Sequence, residues 1–293
     1  MKVFVTGATG FIGTAVVREL LGAGHEVVGL ARSSKGEEAL KAAGADVWLG
    51  SLEDLDGLRR GAEQADGVIH LAYIHDFSDR AAAEEADRQA TEAIGEALAG
   101  TGKPVVLTSG TLMLPQDRIG TEDERPVGSG RYAETGVDRL TERGIRASVV
   151  RLSPTVHGEH DYGFVWALVG IAREKGFSAY VEDGSNHWPA VHRSDAARLF
   201  RLALESAPAG TRLHGVAEQG VLFRSIAEVI GRQLNLPVQS VPAADAPAHF
   251  GWLNFAASAN CEVSSDRTQH LLNWKPEHPE LLEDLEAGYY FRD

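Results

Sequence analysis

Apolar residues along this chain follow two rhythms. An unbroken apolar run from Val3 to Thr6 is followed by a glycine-rich turn, and then Phe11, Ala15, Val16 and Leu20 recur at helical spacing. The first pattern predicts a buried strand and the second a helix with one hidden face. Gly24 stops the helix, and Glu26 to Leu30 read as a second strand, which closes a βαβ unit. Strand and helix units of this kind continue to about residue 155. Beyond it, amphipathic helices in "FVWALVGIAREKG", "RSIAEVIGRQLNLP" and "ELLEDLEAGYYF" mix with short strands and proline-marked turns, while "VHRSDAARLFRLALE" and a strand near Leu213 to Val216 return to the first unit.

This organisation predicts an α/β protein, a doubly wound parallel sheet (Rossmann) with a smaller C-terminal substrate lobe. The dinucleotide-binding part is expected over 1–155 plus about 190–217, and the lobe over about 156–189 plus 218–293. Hydrophobic residues make up 43% of the 293 positions, enough for a substantial core. No apolar stretch approaches the ~20 residues that span a bilayer, and "MKVFVTG" enters a strand without a signal-peptide pattern, so a soluble, cytoplasmic protein is expected. The single cysteine, Cys261, excludes an intrachain disulfide and reads as a packing residue. A net charge of −14 without any basic block disfavours nucleic acid and anionic membranes as partners. A small-molecule substrate is the partner expected, with a homodimer left open.

The turn after the first strand, "TGATGFIG", has the chemistry of an anion cradle. Gly7 permits the tight turn, Gly10 lets backbone approach a ligand, and Gly13 lets the helix lie close to the sheet, so that amides at the helix N-terminus face a pyrophosphate. The motif follows a strand and opens a helix, the context it requires.

The same residues resemble the T-G-x-x-G-x-x-G fingerprint of extended short-chain dehydrogenases/reductases, the NAD-dependent epimerase/dehydratase group. "DGVIHLAY", "VVLTSGT", "VVRLSPTVHG", "AVHRSDAARLF" and "LLNWKPEH" resemble later segments of that family, so the likeness covers nearly the whole chain. It implies that Thr6, Gly7, Thr9, Gly10, Phe11, Ile12 and Gly13 hold the dinucleotide, that Ser51 and Leu52 lie on the adenine side, and that Leu71 and Ala72 line the cleft after the fourth strand.

The second strand ends without the acidic residue that would bond a ribose 2′-hydroxyl. "GLARSSK" offers Arg32, Lys35 and two serines instead, donors suited to a 2′-phosphate, which favours NADP as cofactor. After the third strand, Asp54 is expected to start a helix.

Family chemistry uses a tyrosine, a lysine four residues later, and a Ser/Thr at the end of the fifth strand. In "GRYAETGVDRL" the residue four after Tyr132 is Gly136; a register slipped by one places Arg131 and Thr135 there, and neither restores Tyr-x-x-x-Lys. The pattern resembles the atypical branch of the superfamily. Tyr132 is expected near the nicotinamide by topology, with Arg131 an equal occupant of its position. Ser109 or Thr111 is expected to orient the substrate oxygen. In "LAYIHDFSDR" the groups Tyr73, His75 and Asp76 offer replacement acid/base chemistry; the competing reading is a loop in which Asp76 or Ser78 caps the next helix. His157, Tyr162, His187 and Trp188 lie in the region assigned to the lobe, His192 reads as a structural contact, Asp195 caps or anchors a helix, and no metal is expected.

The function expected is an NADP-dependent oxidoreductase acting on a small carbonyl or alcohol. The alternatives are a catalytically silent NADP(H)-binding sensor, or a lyase or isomerase of epimerase/dehydratase type.

Overall fold

The computed structural model describes residues 1–74, 79–127 and 131–292. Its first part is built from β1 (Lys2–Thr6), α1 (Phe11–Gly22), β2 (Glu26–Ala31), α2 (Ser34–Ala43), β3 (Asp46–Leu49), α3 (Leu55–Glu63), β4 (Gly67–His70), α4 (Arg80–Leu98), β5 (Pro104–Gly110), α5 (Ala133–Glu142) and β6 (Arg146–Leu152). Then follow β7 (Thr155–His157), α6 (Phe164–Lys175), β8 (Ser178–Val181), β9 (His187–His192), α7 (Arg193–Ser206), β10 (Thr211–Gly215), β11 (Glu218–Leu222), α8 (Phe223–Leu234) and β12 (Val238–Val241). Short helical segments over 246–257, 266–272 and 281–291 complete the chain.

Seven strands form one sheet in the order β10-β6-β5-β4-β1-β2-β3, and every neighbouring pair is parallel. Strand order reverses between β1 and β4, so a crevice opens beyond the carboxyl ends of those two strands. Side chains alternate across the sheet as a strand demands: Val3 and Val5 pack with α1 and α7, whereas Phe4 packs with α3 and α4. Both faces are therefore apolar, and the strands read as continuous hydrophobic runs rather than alternating ones.

The remaining strands make two small sheets, β11-β9-β7 and β12-β8. They pack with α6, α8 and the C-terminal segments around Trp188, Phe223, Phe250 and Leu281. Trp188 is fully buried and its indole donates to the Ala256 carbonyl, so it is a core residue rather than part of a binding surface.

Helix ends obey local chemistry where the cap is adjacent in sequence. Asp54 caps α3 by accepting the Gly57 amide at 2.9 Å. The cap of α4 is Asp79, which accepts from Ala82; Asp76 and Ser78, the expected caps, lie outside the described residues. Asp195 anchors rather than caps. It sits inside the first turn of α7 and accepts the amides of Glu277 at 3.1 Å and His278 at 3.0 Å, while the side chain of His192 accepts the Ser194 amide as the cap. Trp274 donates to the Asp195 carbonyl at 3.0 Å and fills the main core, which ties the C-terminal "NWKPEH" stretch to α7.

Candidate active site

The glycine turn is a cradle shaped by what cannot be there. Gly7 has φ +69°, and a Cβ on it would lie 2.7 Å from the Ala72 amide nitrogen, so the segment leaving β4 packs directly on the turn. A Cβ on Gly13 would fall 2.0 Å from the Gly7 carbonyl, and only glycine lets α1 start so close to β1. Gly10, with Phe11 and Ile12 half-buried behind it, brings the helix N-terminus to the cradle, where the Phe11 amide donates to the Tyr162 hydroxyl at 3.2 Å. These positions fit a dinucleotide pyrophosphate. Thr6 contributes differently: it is fully buried, its hydroxyl accepts from the Ala72 amide at 3.2 Å and lies 2.7 Å from His70 Nδ1. It therefore shapes the cradle from beneath and does not reach a ligand through its side chain.

Farther along the crevice, a cleft of about 580 Å³ opens between the ends of β2 and β3. Arg32, Ser33, Ser34 and Ser51 line it, together with Glu37 and Asp54. Both acids are engaged: Glu37 pairs with Lys41 at 2.6 Å, and Asp54 caps α3. Ser33 caps α2, so that helix also points its N-terminus into the cleft. Thr9 is exposed beside Gly36, whereas Leu52 is buried in the core under β2.

At the end of β4 the expected tyrosine geometry is rearranged. The Tyr132 hydroxyl donates to Glu92 of α4, which also binds Arg143 at 2.6 Å. Burial and the Glu92 carboxylate push the Tyr132 phenol above its ordinary range, the direction opposite to that needed for proton exchange at neutral pH. The Tyr132 hydroxyl is thus committed to Glu92 rather than to Arg131. Arg131 turns the other way: its guanidinium lies 4.0 Å from the centroid of the Tyr73 ring and 3.5 Å from Asp87, which is buried and faces His70 Nε2 at 3.4 Å. Burial would raise the Asp87 carboxyl, but His70 and Arg131 outweigh it and hold the group below its usual value. Asp87 Oδ2, Thr91 Oγ1 and Arg131 Nε, all closed to solvent, have no hydrogen-bond partner among the described residues. His75 lies outside the described residues.

The hydroxyls expected to orient substrate are not presented to a crevice. Ser109 is buried near Glu134, and Thr111 is fully buried with its carbonyl 3.8 Å from Cys261 Sγ. Both serve packing, because β5 ends under the segment that carries Cys261. The Cys261 thiol is pushed up to about 11 by burial, which leaves it inert.

A buried ion pair fixes where α5 begins. Arg151, wholly buried at the end of β6, donates to both Glu134 oxygens at 2.9 and 2.8 Å and to the Glu124 carbonyl at 2.9 Å. His214 Nδ1 donates to the Ser264 carbonyl at 2.7 Å, so Nε2 is the acceptor facing Arg151 at 3.2 Å. Burial works to raise Glu134, yet Arg151 prevails and keeps it ionised. The sequence marked Arg151 only as part of a motif; Glu134, Asp87 and Glu92 carried no local signal.

Other sequence candidates lie elsewhere. His157 is buried and paired with Asp284 at 2.7 Å, His192 stacks on His278, and His187 contacts Asn260. No group of three or more His, Cys, Asp or Glu among the described residues is arranged to hold a metal ion.

The model of the NAD dependent epimerase/dehydratase family matches residues 3–214. The chain belongs to that family. It is 48% identical to the uncharacterized protein C2A9.02 of Schizosaccharomyces pombe, covering 99% of this chain and 100% of that one. It is 44% identical to the uncharacterized protein YLL056C of Saccharomyces cerevisiae, covering 99% of each. Among solved structures, the UDP-glucose 4-epimerase of Thermotoga maritima with UDP-glucose superposes with a TM-score of 0.77 at 20% identity, over 99% of this chain and 98% of that one. At that identity the likeness concerns the fold. As a family member this chain is an NAD(P)-dependent enzyme of oxidoreductase or epimerase/dehydratase type. Among the described residues no helix is long and apolar enough to cross a membrane.

Proposed function

We propose that this epimerase/dehydratase-family chain is an NADP(H)-dependent oxidoreductase that interconverts a small carbonyl compound and its alcohol, with Tyr73 as the proton donor and Arg131 as the cation beside it. The observation that carries this reading is the Arg131 guanidinium 4.0 Å over the Tyr73 ring, backed by Asp87, beside the switch-point crevice. The family's tyrosine–cation pair is then kept with its parts exchanged: the phenol comes from the end of β4 and the cation from the start of α5.

Gly7, Gly10 and the amides that follow would hold the pyrophosphate, and Arg32 with Ser33, Ser34 and Ser51 the adenosine 2′-phosphate. The bound nicotinamide supplies or takes up the hydride. As a carbonyl carbon is reduced, its oxygen gains the π electron pair and takes the Tyr73 proton. Arg131 stabilises the phenolate left behind, and water returns the proton. An unassisted phenol, with a pKa of ~10, is a poor partner near neutrality, which is why the adjacent cation matters.

Once a turned-over carbonyl is found in a panel with NADPH, single-turnover hydride transfer should be measured for Tyr73→Phe and Tyr132→Phe. Tyr73→Phe is expected to lose more than about tenfold, roughly 1.4 kcal/mol of barrier, and Tyr132→Phe less than about threefold. Loss confined to Tyr132→Phe, or no loss in either variant, overturns the assignment.

A further inference from the structure

The first open amide of α1, Phe11 N–H, is among those that face a pyrophosphate in dinucleotide folds. Here it donates to the Tyr162 hydroxyl at 3.2 Å. Tyr162 comes from the turn between β7 and α6, and its ring stands edge-on to Phe11 with centroids 6.0 Å apart. From the opposite element, Arg193 at the start of α7 places its guanidinium 5.2 Å from the centroid of the Phe11 ring. No carboxylate lies within ion-pair distance of Arg193 among the described residues.

The turn itself is held on both sides of Tyr162. The Gly158 amide donates to the Tyr290 hydroxyl at 3.2 Å, that hydroxyl donates to Asp161 at 2.9 Å, and Asp161 accepts the Gly163 amide at 2.6 Å. A Cβ on Gly158 would lie 3.1 Å from Arg193 Cγ, so the turn and Arg193 are packed as one unit.

We propose that Tyr162 and Arg193 form a clasp over the pyrophosphate of the bound dinucleotide, an inference that rests on the dinucleotide reading above but not on the choice between NAD and NADP. A hydroxyl both accepts and donates. In the free protein it occupies the acceptor position on Phe11 N–H. When a phosphate oxygen takes that amide, the same hydroxyl turns to donate to the phosphate. The cradle itself offers neutral groups to a dianion, in a chain of net charge −14, and Arg193 is a cation packed against it.

Isothermal titration with ADP-ribose, which carries the pyrophosphate and lacks nicotinamide, tests the clasp on the full chain. Tyr162→Phe keeps the ring contact and removes only the hydroxyl; it is expected to weaken ADP-ribose about tenfold with an unchanged melting temperature. Arg193→Gln is expected to weaken it similarly and to flatten the salt dependence of binding. ADP-ribose bound by Tyr162→Phe as tightly as by the wild type, or more tightly, would make the tyrosine a plug and overturn the clasp alone. Failure of the wild type to bind ADP-ribose overturns both the clasp and the dinucleotide site beneath it.

Discussion

Replacing Arg32 by alanine isolates the cofactor choice. The cleft beside it contains one exposed arginine, the N-terminus of α2 and three serine hydroxyls, while Glu37 and Asp54 are engaged with Lys41 and Gly57. A 2′-phosphate carries about −1.5 to −2 charges near neutrality. With one cation at ~4 Å in a solvent-like dielectric, each charge contributes ~1 kcal/mol, so Arg32 supplies about 2 kcal/mol. The α2 terminus adds ~0.3–1 kcal/mol. Since the sum is about 2–3 kcal/mol, NADPH should bind roughly 30- to 150-fold more tightly than NADH. Arg32→Ala should cost NADPH about 30-fold and leave NADH unchanged, and Arg32→Lys should fall between because the charge survives without the two-pronged geometry. Fluorescence titration with both nucleotides at two salt concentrations reads this directly, and the preference should shrink at high salt because the cleft is open. Equal wild-type affinities for the two nucleotides, or a parallel loss of both in Arg32→Ala, would refute the reasoning.

Two further perturbations probe the rearranged site and its surroundings. Gly136→Lys restores the family's Tyr-x-x-x-Lys spacing in sequence, but its Cβ would lie 3.2 Å from the Tyr132 ring, which Glu92 holds in place, and 3.4 Å from Thr91. Hydride transfer should rise less than about threefold; a gain above about tenfold that disappears in Gly136→Lys/Tyr132→Phe would show that the inherited tyrosine still operates. Asp161 is raised by burial from its ordinary value to about 6, against the Gly163 amide and the Tyr290 hydroxyl. A carboxyl whose folded pKa lies above its unfolded one favours the folded state when protonated, so stability is lost as pH rises from about 4 to about 6. Roughly 2–3 kcal/mol of that loss should vanish in Asp161→Asn, measured as the difference in urea unfolding free energy between the two proteins across pH 4 to 7. Parallel pH profiles for the two proteins would contradict the assignment.

Much of the fold is legible because its determinants are local. The glycine triplet between a strand and a helix announces β1 and α1, and Asp54 announces α3, since in each case cause and effect lie within a few residues. What escapes the sequence is pairing across distance. Tyr132 and Glu92 are 40 positions apart, Arg131 and Asp87 are 44, and no periodicity joins them. Trp188 beside His187 reads as a candidate for the lobe, yet the smaller sheets enclose it completely. Ser109 and Thr111 carry the expected hydroxyls at the expected strand end, but their exposure depends on Glu134 and on the Cys261 segment that covers them. Even the cap of α4 falls to Asp79 because the chain supplies several acids and only the backbone path selects one.

The departure from the family pattern is consequently more than the deletion of a lysine. Along α4, Asp87 and Glu92 are five residues apart, which turns their side chains about 140° from one another around the helix. Each selects a different neighbour at the start of α5. Glu92 stands on the outer side with Arg139 and Arg143 and takes the Tyr132 hydroxyl. Asp87, buried against His70 under the crevice, takes Arg131 instead. Arg151 and Glu134 meanwhile hold the first turn of α5 in place. Two carboxylates on one helix thus send Tyr132 and Arg131 to different partners, and the Arg131 guanidinium comes to lie 4.0 Å from the centroid of the Tyr73 ring.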